Sequence, residues 1–183
     1  MNYQEKTVLL KNGKTCLLRR PEEADAETLV GYLKDISTET RNVLREPEEV
    51  RTSAEEEAEF IRKNRADARA LMLSAFVDGK LAGNASFAAV SDRGRVRHRC
   101  RMGISVYRKF WGMGIGTTVM GEILRCAKDA GFEQMELEVV STNLPAIALY
   151  KKVGFEAAGT IPHAFKYKDG TYADFLFMVK HLN

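Results

Sequence analysis

The sequence contains no apolar run near the length of a membrane span, and its first ten residues, MNYQEKTVLL, lack a signal-peptide pattern. We therefore expect a protein without a secretory leader and without a membrane partner. The three cysteines are odd in number, far apart and in no metal-ligand spacing, which argues against a disulfide framework and predicts no metal site. We expect them to be reduced, mostly buried thiols in a cytoplasmic protein.

The sequence also lacks a large excess of either sign of charge, because its 28 basic and 25 acidic residues give a formal net charge of +3. Such a small excess does not indicate a nucleic-acid partner. No internal repeat, low-complexity tract or Pro/Gly/Ser linker divides the sequence, so its length predicts a single domain over residues 1–183.

Arginines alternate with apolar residues between positions 93 and 101, a pattern that predicts a strand with all its arginines on one face. One interpretation is an anion-binding or nucleic-acid-binding face. The other is a solvated face, or one paired with the glutamate-rich segment 46–59. The absence of interleaved aromatic residues disfavours nucleic acid. His98 lies among the apolar positions of this strand, so we interpret it as a core histidine.

Three turn signals, Asn12-Gly13, Asp78-Gly79 and Asp169-Gly170, are flanked by strand-like runs and predict β-hairpins. The paired strands are expected at residues 7–10 with 15–20, 71–77 with 81–91, and 164–167 with 172–179.

Helices are predicted between these hairpins and near the centre of the chain. Pro21 opens a helix that runs to about Ile36, and a capping box of Ser53 and Glu56 begins another that runs toward Arg69. Two more helices are expected at residues 118–131 and 144–153, with a strand at 134–140 between them. This order predicts an α/β protein with a mixed sheet and not a βαβαβ alternation.

Residues 108–117, RKFWGMGIGT, stand between the predicted arginine-containing strand and the helix predicted at residues 118–131. Bare backbone N–H groups and the positive end of the helix dipole suit a phosphate or pyrophosphate at such a place. Two other nucleotide-binding motifs do not fit. The dinucleotide motif G-x-G-x-x-G needs a third glycine where Thr117 stands if it is counted from Gly112, or where Val119 stands if it is counted from Gly114. A P-loop needs Gly-Lys-Ser/Thr, which does not follow these glycines. A glycine-softened turn without a ligand is the simpler alternative.

A second signature follows the glycines: Asn143, Ala146, Leu149-Tyr150 and Gly154-Phe155. Together the two motifs strongly resemble the GCN5-related N-acetyltransferases (GNAT), which bind acetyl-CoA. The stretch LEVVSTNLPAIALYKKVGF is similar to the ribosomal-protein alanine N-acetyltransferases within that family. The resemblance implies a mixed, mostly antiparallel sheet flanked by about four helices. One departure is Trp111, which stands where the family usually has Arg or Gln.

The resemblance also implies where acetyl-CoA, the expected cosubstrate, is bound. Its pyrophosphate is expected on the backbone of Gly112, Met113, Gly114, Ile115, Gly116 and Thr117. Its pantetheine arm is expected to pair with main-chain groups of Ile104, Ser105 and Val106, and with Asn143, which also caps a helix. A β-branched residue at Gly114 or Gly116 is expected to place a side chain where the phosphates lie.

The resemblance assigns two residues to the chemistry. Glu138 becomes the candidate general base and Tyr150 the candidate acid for the leaving thiolate. Glu138 could instead face solvent, and Tyr150 could be a packing aromatic. Acceptor contacts are expected from the loop between the first two helices and from the last hairpin, where His163 could touch the acceptor.

These features predict an enzyme that transfers acetyl from acetyl-CoA to a primary amine by direct attack in a ternary complex. Two alternatives stay open: transfer of a longer acyl group, and a non-catalytic CoA-binding sensor or partner protein. The acceptor is a small molecule or a protein N-terminus, and the sequence leaves a homodimer open.

Overall fold

The computed structural model describes residues 1–182, and Asn183 lies outside the described residues. The strands are β1 Lys6–Leu9, β2 Thr15–Arg19, β3 Ala70–Val77, β4 Lys80–Ala89, β5 Arg99–Val106, β6 Gln134–Val140, β7 Glu156–Lys166 and β8 Tyr172–His181. The α-helices are α1 Ala26–Glu39, α2 Ala54–Ala66, α3 Ile115–Asp129 and α4 Leu144–Lys152.

All eight strands form one sheet in the order β1-β2-β3-β4-β5-β6-β8-β7. Neighbouring strands run antiparallel everywhere except between β5 and β6, which are parallel. The predicted α/β fold with a mixed, mostly antiparallel sheet and about four helices is confirmed. The three predicted hairpins all form, at β1–β2, β3–β4 and β7–β8.

The parallel pairing is short and leaves a gap in the sheet. It begins with Arg99 opposite Gln134 and ends with Arg101 opposite Glu136. Beyond this point β5 stays paired with β4 and β6 stays paired with β8, so the two strands separate toward their carboxyl ends. The backbone of β5 is therefore unpaired on one side next to the start of α3.

Helices cover both faces of the sheet. On one face, α3 buries Ile115, Val119 and Ile123 in a core shared with Met135 and Leu137 of β6. On the other face, α1 and α2 build a smaller core whose buried residues are Ala26, Leu29, Tyr32, Ile36, Ile61, Met72, Leu81 and Tyr107. Each fully buried aliphatic side chain stabilises the fold by about 1.5–3 kcal/mol.

Two helices begin elsewhere than predicted. α1 starts at Ala26 and not at Pro21, because residues 23–25 form a 3-10 turn in which the Asp25 carboxylate accepts the N–H of Glu22 at 2.7 Å. α3 starts at Ile115 and not at Thr118, since Gly114 adopts a left-handed φ of 91° and serves as its N-cap. The second change brings the helix N-terminus into the glycine loop (residues 112–117).

The prediction that the arginines of residues 93–101 share one strand face is wrong. Strand β5 begins only at Arg99, and the preceding residues form turns closed by hydrogen bonds from Val96 N–H to the Arg93 carbonyl and from Arg99 N–H to the Val96 carbonyl. The two arginines that do lie on β5 pair with β6 carboxylates. Arg99 forms a bidentate pair with the buried Glu136, and Arg101 lies 3.7 Å from Glu138.

Strand β7 is longer than predicted, beginning at Glu156 and not at Ala164. It is an edge strand whose residues 156–163 are all exposed, so it has no alternation of buried and exposed positions for the sequence to display. Its alanines, glycine and proline also have low strand propensity. Two register irregularities, at 157/159 and 161/165, take up the extra residues.

The cysteines are free and buried, as the sequence predicted. Within residues 1–182, no helix is long and apolar enough to cross a membrane. No group of three or more His, Cys, Asp or Glu side chains in that part of the chain could hold a metal ion.

The Asp25→Asn variant tests the ion pair that fixes the start of α1. Arg19 binds Asp25 through two hydrogen bonds of 2.6 and 2.8 Å, and this pairing lowers the pKa of the Asp25 carboxyl. A lowered folded-state pKa gives stability that is present above the unfolded pKa of about 3.9 and is lost as pH falls through the folded value. The variant should lose about 1–3 kcal/mol of unfolding free energy at pH 7.

Urea unfolding of both proteins between pH 3 and pH 7 measures this loss, which should shrink below pH 4. The Asp78→Asn variant is the control, because its exposed pair with Lys14 should contribute about 0–1 kcal/mol. A difference between wild type and Asp25→Asn that does not change with pH would contradict the assignment.

Candidate active site

A cavity of about 430 Å³ lies where β5 and β6 separate. Its wall is formed by the end of β5, the glycine loop, the first turns of α3 and α4, and the end of α1 with the loop that follows. The predicted site residues on this wall are Ile104, Ser105, Val106, Gly112, Gly114, Ile115, Gly116, Thr117, Asn143 and Tyr150. Met113 and Glu138 are not among the residues that line it.

The N-terminus of α3 presents free main-chain donors to this cavity. The first intrahelical bond runs from Thr118 N–H to the Gly114 carbonyl at 3.0 Å, so the N–H groups of residues 114–117 have no helical acceptor. They lie at the positive end of the helix dipole. The arrangement suits a phosphate group, as the glycine motif of the sequence predicted.

The glycines of this loop serve different purposes. Gly114 needs its left-handed φ of 91°, so any side chain there strains the backbone as well as the site. A Cβ at Gly116 would lie 3.0 Å from the Leu149 Cδ2 atom of α4, so this glycine allows the two helices to approach. A side chain at Gly116 would thus meet Leu149, a residue of the same cavity wall, and its effect on phosphate binding stays a prediction.

Only alternate residues of β5 direct their main-chain N–H and C=O groups toward the gap. Tyr107 N–H donates to the Ala82 carbonyl of the chain beside it, and the Arg99 carbonyl accepts from Val90 N–H. Because main-chain groups in an antiparallel ladder point alternately to the two neighbours, Ser105 faces β4 while Ile104 and Val106 face the gap. The expectation of a main-chain contact from Ser105 is thus wrong, and its hydroxyl is instead hydrogen-bonded to Tyr32 at 2.8 Å.

The Trp111 side chain is hydrogen-bonded to one of the main-chain acceptors at the gap. Its indole Nε1 donates to the Val106 carbonyl at 2.8 Å, while half of its side-chain surface stays exposed. The indole therefore forms part of the cavity wall. The N–H of Val106 and both main-chain groups of Ile104 remain directed at the gap.

Tyr150 and Asn143 reach the cavity from α4. Tyr150 is 7% exposed, and burial raises the pKa of its hydroxyl to about 12. Asn143 caps the helix, since its side-chain oxygen accepts the Ala146 N–H at 3.4 Å. Its amide NH₂ group is not consumed by the cap and can donate to a ligand.

Glu138 lies apart from these groups. Its neighbours Leu137 and Val139 are buried on the face of β6 that packs in the core with Tyr150, so Glu138 points to the opposite face. There its carboxylate is partly exposed and lies 3.7 Å from Arg101 Nη1. The structure thus does not bring the two predicted catalytic residues onto one wall, although both flank the gap between β5 and β6.

Helix α1 and the first hairpin also contribute to the cavity wall, which no sequence pattern predicted. Ile36, Glu39 and Thr40 line the cavity, and Glu39 Oε2 accepts the Arg108 N–H at 2.9 Å. Lys11 lines it as well, although the sequence marked that hairpin only by its Asn-Gly turn. No local pattern pointed to these residues, because each reaches the site only through tertiary packing.

A second cavity, of about 470 Å³, separates the loop after α1 from the β7–β8 hairpin. Arg41 bridges the two segments by donating to Asp169 at 2.8 Å and by lying 4.0 Å from the centre of the Tyr167 ring. Lys168 pairs with Glu46 at 3.7 Å and also with Glu48. The two regions expected to contact the acceptor are therefore held together by ion pairs.

The histidines contribute less than their chemistry suggested. The prediction that His98 is a core histidine is wrong, since it is only half-buried in the turn before β5, where its carbonyl accepts the N–H groups of Glu133 and Gln134. His163 has a left-handed φ of 52°, and its ring stacks on Tyr172 with centroids 4.8 Å apart. Neither residue lines the cavity between β5 and β6.

Comparison with known proteins identifies the family. The profile described as "Acetyltransferase (GNAT) family" matches residues 25–155. The chain belongs to this family. Over 109 residues it is 32% identical to the L-amino acid N-acetyltransferase AaaT of Escherichia coli (strain K12), a match that covers 59% of this chain and 66%, just under two thirds, of that relative.

Two solved structures are similar over nearly the whole chain. An acetyltransferase of the GNAT family from Streptococcus pneumoniae gives a TM-score of 0.86 at 29% identity, covering 92% of this chain and 99% of that one. A ribosomal-protein-alanine N-acetyltransferase from Brucella melitensis gives a TM-score of 0.80 at 25% identity, covering 90% and 98%. The predicted family and fold are confirmed.

The Gly116→Ala variant tests whether the close approach of α3 and α4 shapes the cavity. The added methyl group lies 3.0 Å from Leu149, which lines the cavity, and overpacking of this kind costs about 1–3 kcal/mol. We expect the dissociation constant for CoA, measured by calorimetry, to rise by about fivefold or more.

The control is Gly121→Ala on the same helix, where an added Cβ meets nothing within 4 Å. That change should stabilise the helix by about 0.5–1 kcal/mol and leave CoA affinity as it is. Equal CoA affinities in the two variants would contradict this role for Gly116.

Proposed function

We propose that this protein is an N-acetyltransferase that moves acetyl from acetyl-CoA to a primary amine by direct attack in a ternary complex. The observation that carries the proposal is one cavity that combines free N–H groups of a helix N-terminus, an unpaired strand edge and a buried tyrosine. The first suits the pyrophosphate, the second suits the amides of the pantetheine arm, and the third suits the thioester end. Membership of the acetyltransferase family supports the same donor.

In the proposed reaction the neutral amine attacks the thioester carbonyl, so that a C–N bond forms and the C–S bond breaks. The sulfur leaves as a thiolate, which takes a proton from the Tyr150 hydroxyl, and the proton that the attacking nitrogen loses once the C–N bond has formed passes through solvent and restores that hydroxyl. Because burial raises the pKa of this hydroxyl to about 12, Tyr150 is protonated at neutral pH and holds the proton that the thiolate needs. Asn143 and the Ile104 main chain would orient the arm that carries the thioester.

Glu138 is proposed as the base that takes the proton of the attacking ammonium, directly or through water. Its position on the other face of β6 supports a path in which the amine approaches the gap from the side opposite Tyr150. A partly exposed carboxylate there can exchange its proton with solvent after each turnover.

The acceptor is proposed to be an amino acid or another small amine, or a protein N-terminus. The name of the E. coli relative supports the first, and the name of the Brucella structure supports the second. The sharpest test is a panel of free amino acids, polyamines and N-terminal peptides assayed for CoA release. The same assay with longer acyl-CoA donors tests the alternative of a larger acyl group.

We also propose a cytoplasmic location for a single catalytic domain, supported by three cysteines that are unpaired within the described residues. Whether two chains associate is a separate prediction, which sedimentation of the purified protein at several concentrations would test.

The Tyr150→Phe variant separates chemistry from packing, because it keeps the buried ring and removes only the hydroxyl. We expect kcat to fall by about 10²–10⁴-fold while acetyl-CoA affinity changes little. Tyr3→Phe, at a tyrosine that does not line this cavity, is the matched control and should keep full activity. Wild-type kcat in Tyr150→Phe, with the chemical step shown to be rate-limiting, would leave Tyr150 as a packing residue only.

The Glu138→Gln variant tests the base. If the carboxylate accepts the ammonium proton, the acidic limb of the kcat/KM profile against pH should flatten, and activity should recover at high pH, where neutral amine is supplied by solvent. Glu133→Gln, at an exposed position just before β6, is the control and should keep the wild-type profile. An unchanged acidic limb in Glu138→Gln would assign proton removal to water alone.

A further inference from the structure

Two cations line the cavity beside the glycine loop, Lys11 and Arg108, and their surroundings differ. Arg108 is committed to the protein, since its Nη2 donates to the Glu39 carbonyl at 2.7 Å. The Trp111 indole offers no charge, and its only N–H is bound to Val106. Lys11 is therefore the cation of this wall whose charged group has no assigned partner in residues 1–182.

Lys11 is held directly against the glycine loop. Its main-chain N–H donates to the Met113 carbonyl at 3.3 Å, which fastens the β1–β2 turn to that loop. Its side chain runs past Gly114, because a Cβ built on Gly114 would lie 3.5–3.7 Å from the Lys11 Cγ, Cδ and Cε atoms. The ammonium group is thus carried along the start of α3.

The turn that carries Lys11 is fixed by its own hydrogen bonds. Leu10 N–H donates to the Lys14 carbonyl at 2.8 Å, and Gly13 N–H donates to the Leu10 carbonyl at 3.0 Å. The Asn12 side chain accepts the Lys14 N–H at 3.2 Å. Lys11 is therefore presented by an ordered turn.

The electrostatics at this place favour an anion. Two other lysines of the same hairpin have carboxylate partners, Lys6 with Glu122 at 2.6 Å and Lys14 with Asp78 at 2.5 Å. Lys11 has no carboxylate within 4.0 Å in the described part of the chain, and it lies beside the positive end of a helix dipole. A cation there is unfavourable unless an anion binds both, since like charges repel at short range.

We propose that the Lys11 ammonium binds the pyrophosphate of CoA, on the side opposite the N–H groups of residues 114–117. The proposal rests on the proposed function, because CoA is the ligand that supplies the pyrophosphate. The anion would be clasped between the first hairpin and α3, two elements far apart in the sequence. Lys11 is thus a binding residue for the cosubstrate and has no role in the transfer of the acetyl group.

The test is calorimetric titration of the full-length Lys11→Met variant, which keeps the length and apolar stem of the side chain. CoA, dephospho-CoA (which lacks the 3′-phosphate) and pantetheine (which lacks all phosphates) are titrated at low and high NaCl concentrations. We expect CoA and dephospho-CoA to lose affinity equally, by about tenfold to a hundredfold, with a weaker salt dependence than in wild type. Pantetheine binding should be unchanged.

Two variants serve as controls. Lys14→Met removes a lysine of the same turn that does not line the cavity, and it should bind all three ligands as wild type does. Lys11→Arg keeps the charge and should restore most of the CoA affinity. Thermal melts of each variant should match wild type, because Lys11 has no carboxylate partner to lose.

Three results would overturn the proposal. Wild-type CoA affinity in Lys11→Met would show that the ammonium does not contact the ligand. A loss for CoA without a loss for dephospho-CoA would assign the contact to the 3′-phosphate and not to the pyrophosphate. Absence of CoA binding by the wild-type protein would remove the proposed function and this proposal together, a result distinct from the first two.

Discussion

The early end of the parallel pairing between β5 and β6 is the constraint on which the site depends. Pairing stops after Arg101 and Glu136, so the main chain of β5 loses its neighbour on one side. An unpaired backbone edge inside a folded domain is costly unless something satisfies it. Here the gap is flanked by α3, α4 and α1, and a ligand that carries amides of its own can take the place of the missing strand. The cavity and its hydrogen-bonding edge therefore have the same cause.

The hydrogen bond from the Trp111 indole to the Val106 carbonyl follows from the same constraint. A carbonyl left free at the gap is satisfied by a nearby donor, and the indole of Trp111, the residue before the glycine loop, reaches it at 2.8 Å. This contact uses an acceptor that an added strand would otherwise use. It also ties the glycine loop and the start of α3 to the end of β5, so the two halves of the cavity keep a fixed spacing.

Most charged side chains around the site form local ion pairs with opposite charges and do not make a patch of one sign. Arg99 and Arg101 pair with β6 carboxylates, and Arg41 and Lys168 join the loop after α1 to the last hairpin. The pairs of Arg101, Arg41 and Lys168 are exposed, so they contribute little stability but fix relative positions, whereas the Arg99 pair involves the buried Glu136. Tyr32 and Tyr107 play a related part inside the protein, since their hydroxyls bind Ser105 and Asp35 and so hold α1 against the end of β5.

The family, the order of the elements and the two motifs of the cavity wall could be predicted from the sequence, because these depend on local signals. Asn-Gly and Asp-Gly turns, a capping box at Ser53 and glycines before a helix act within a few residues of chain. The tertiary structure decided the rest. Edge strand β7 shows no periodicity because neither of its faces is buried, and the arginine alternation continued into turns where no partner strand was available. Lys11, Glu39 and the side of β6 on which Glu138 lies depend on which distant segments meet. That meeting is set by sheet order and helix packing, which no local pattern encodes.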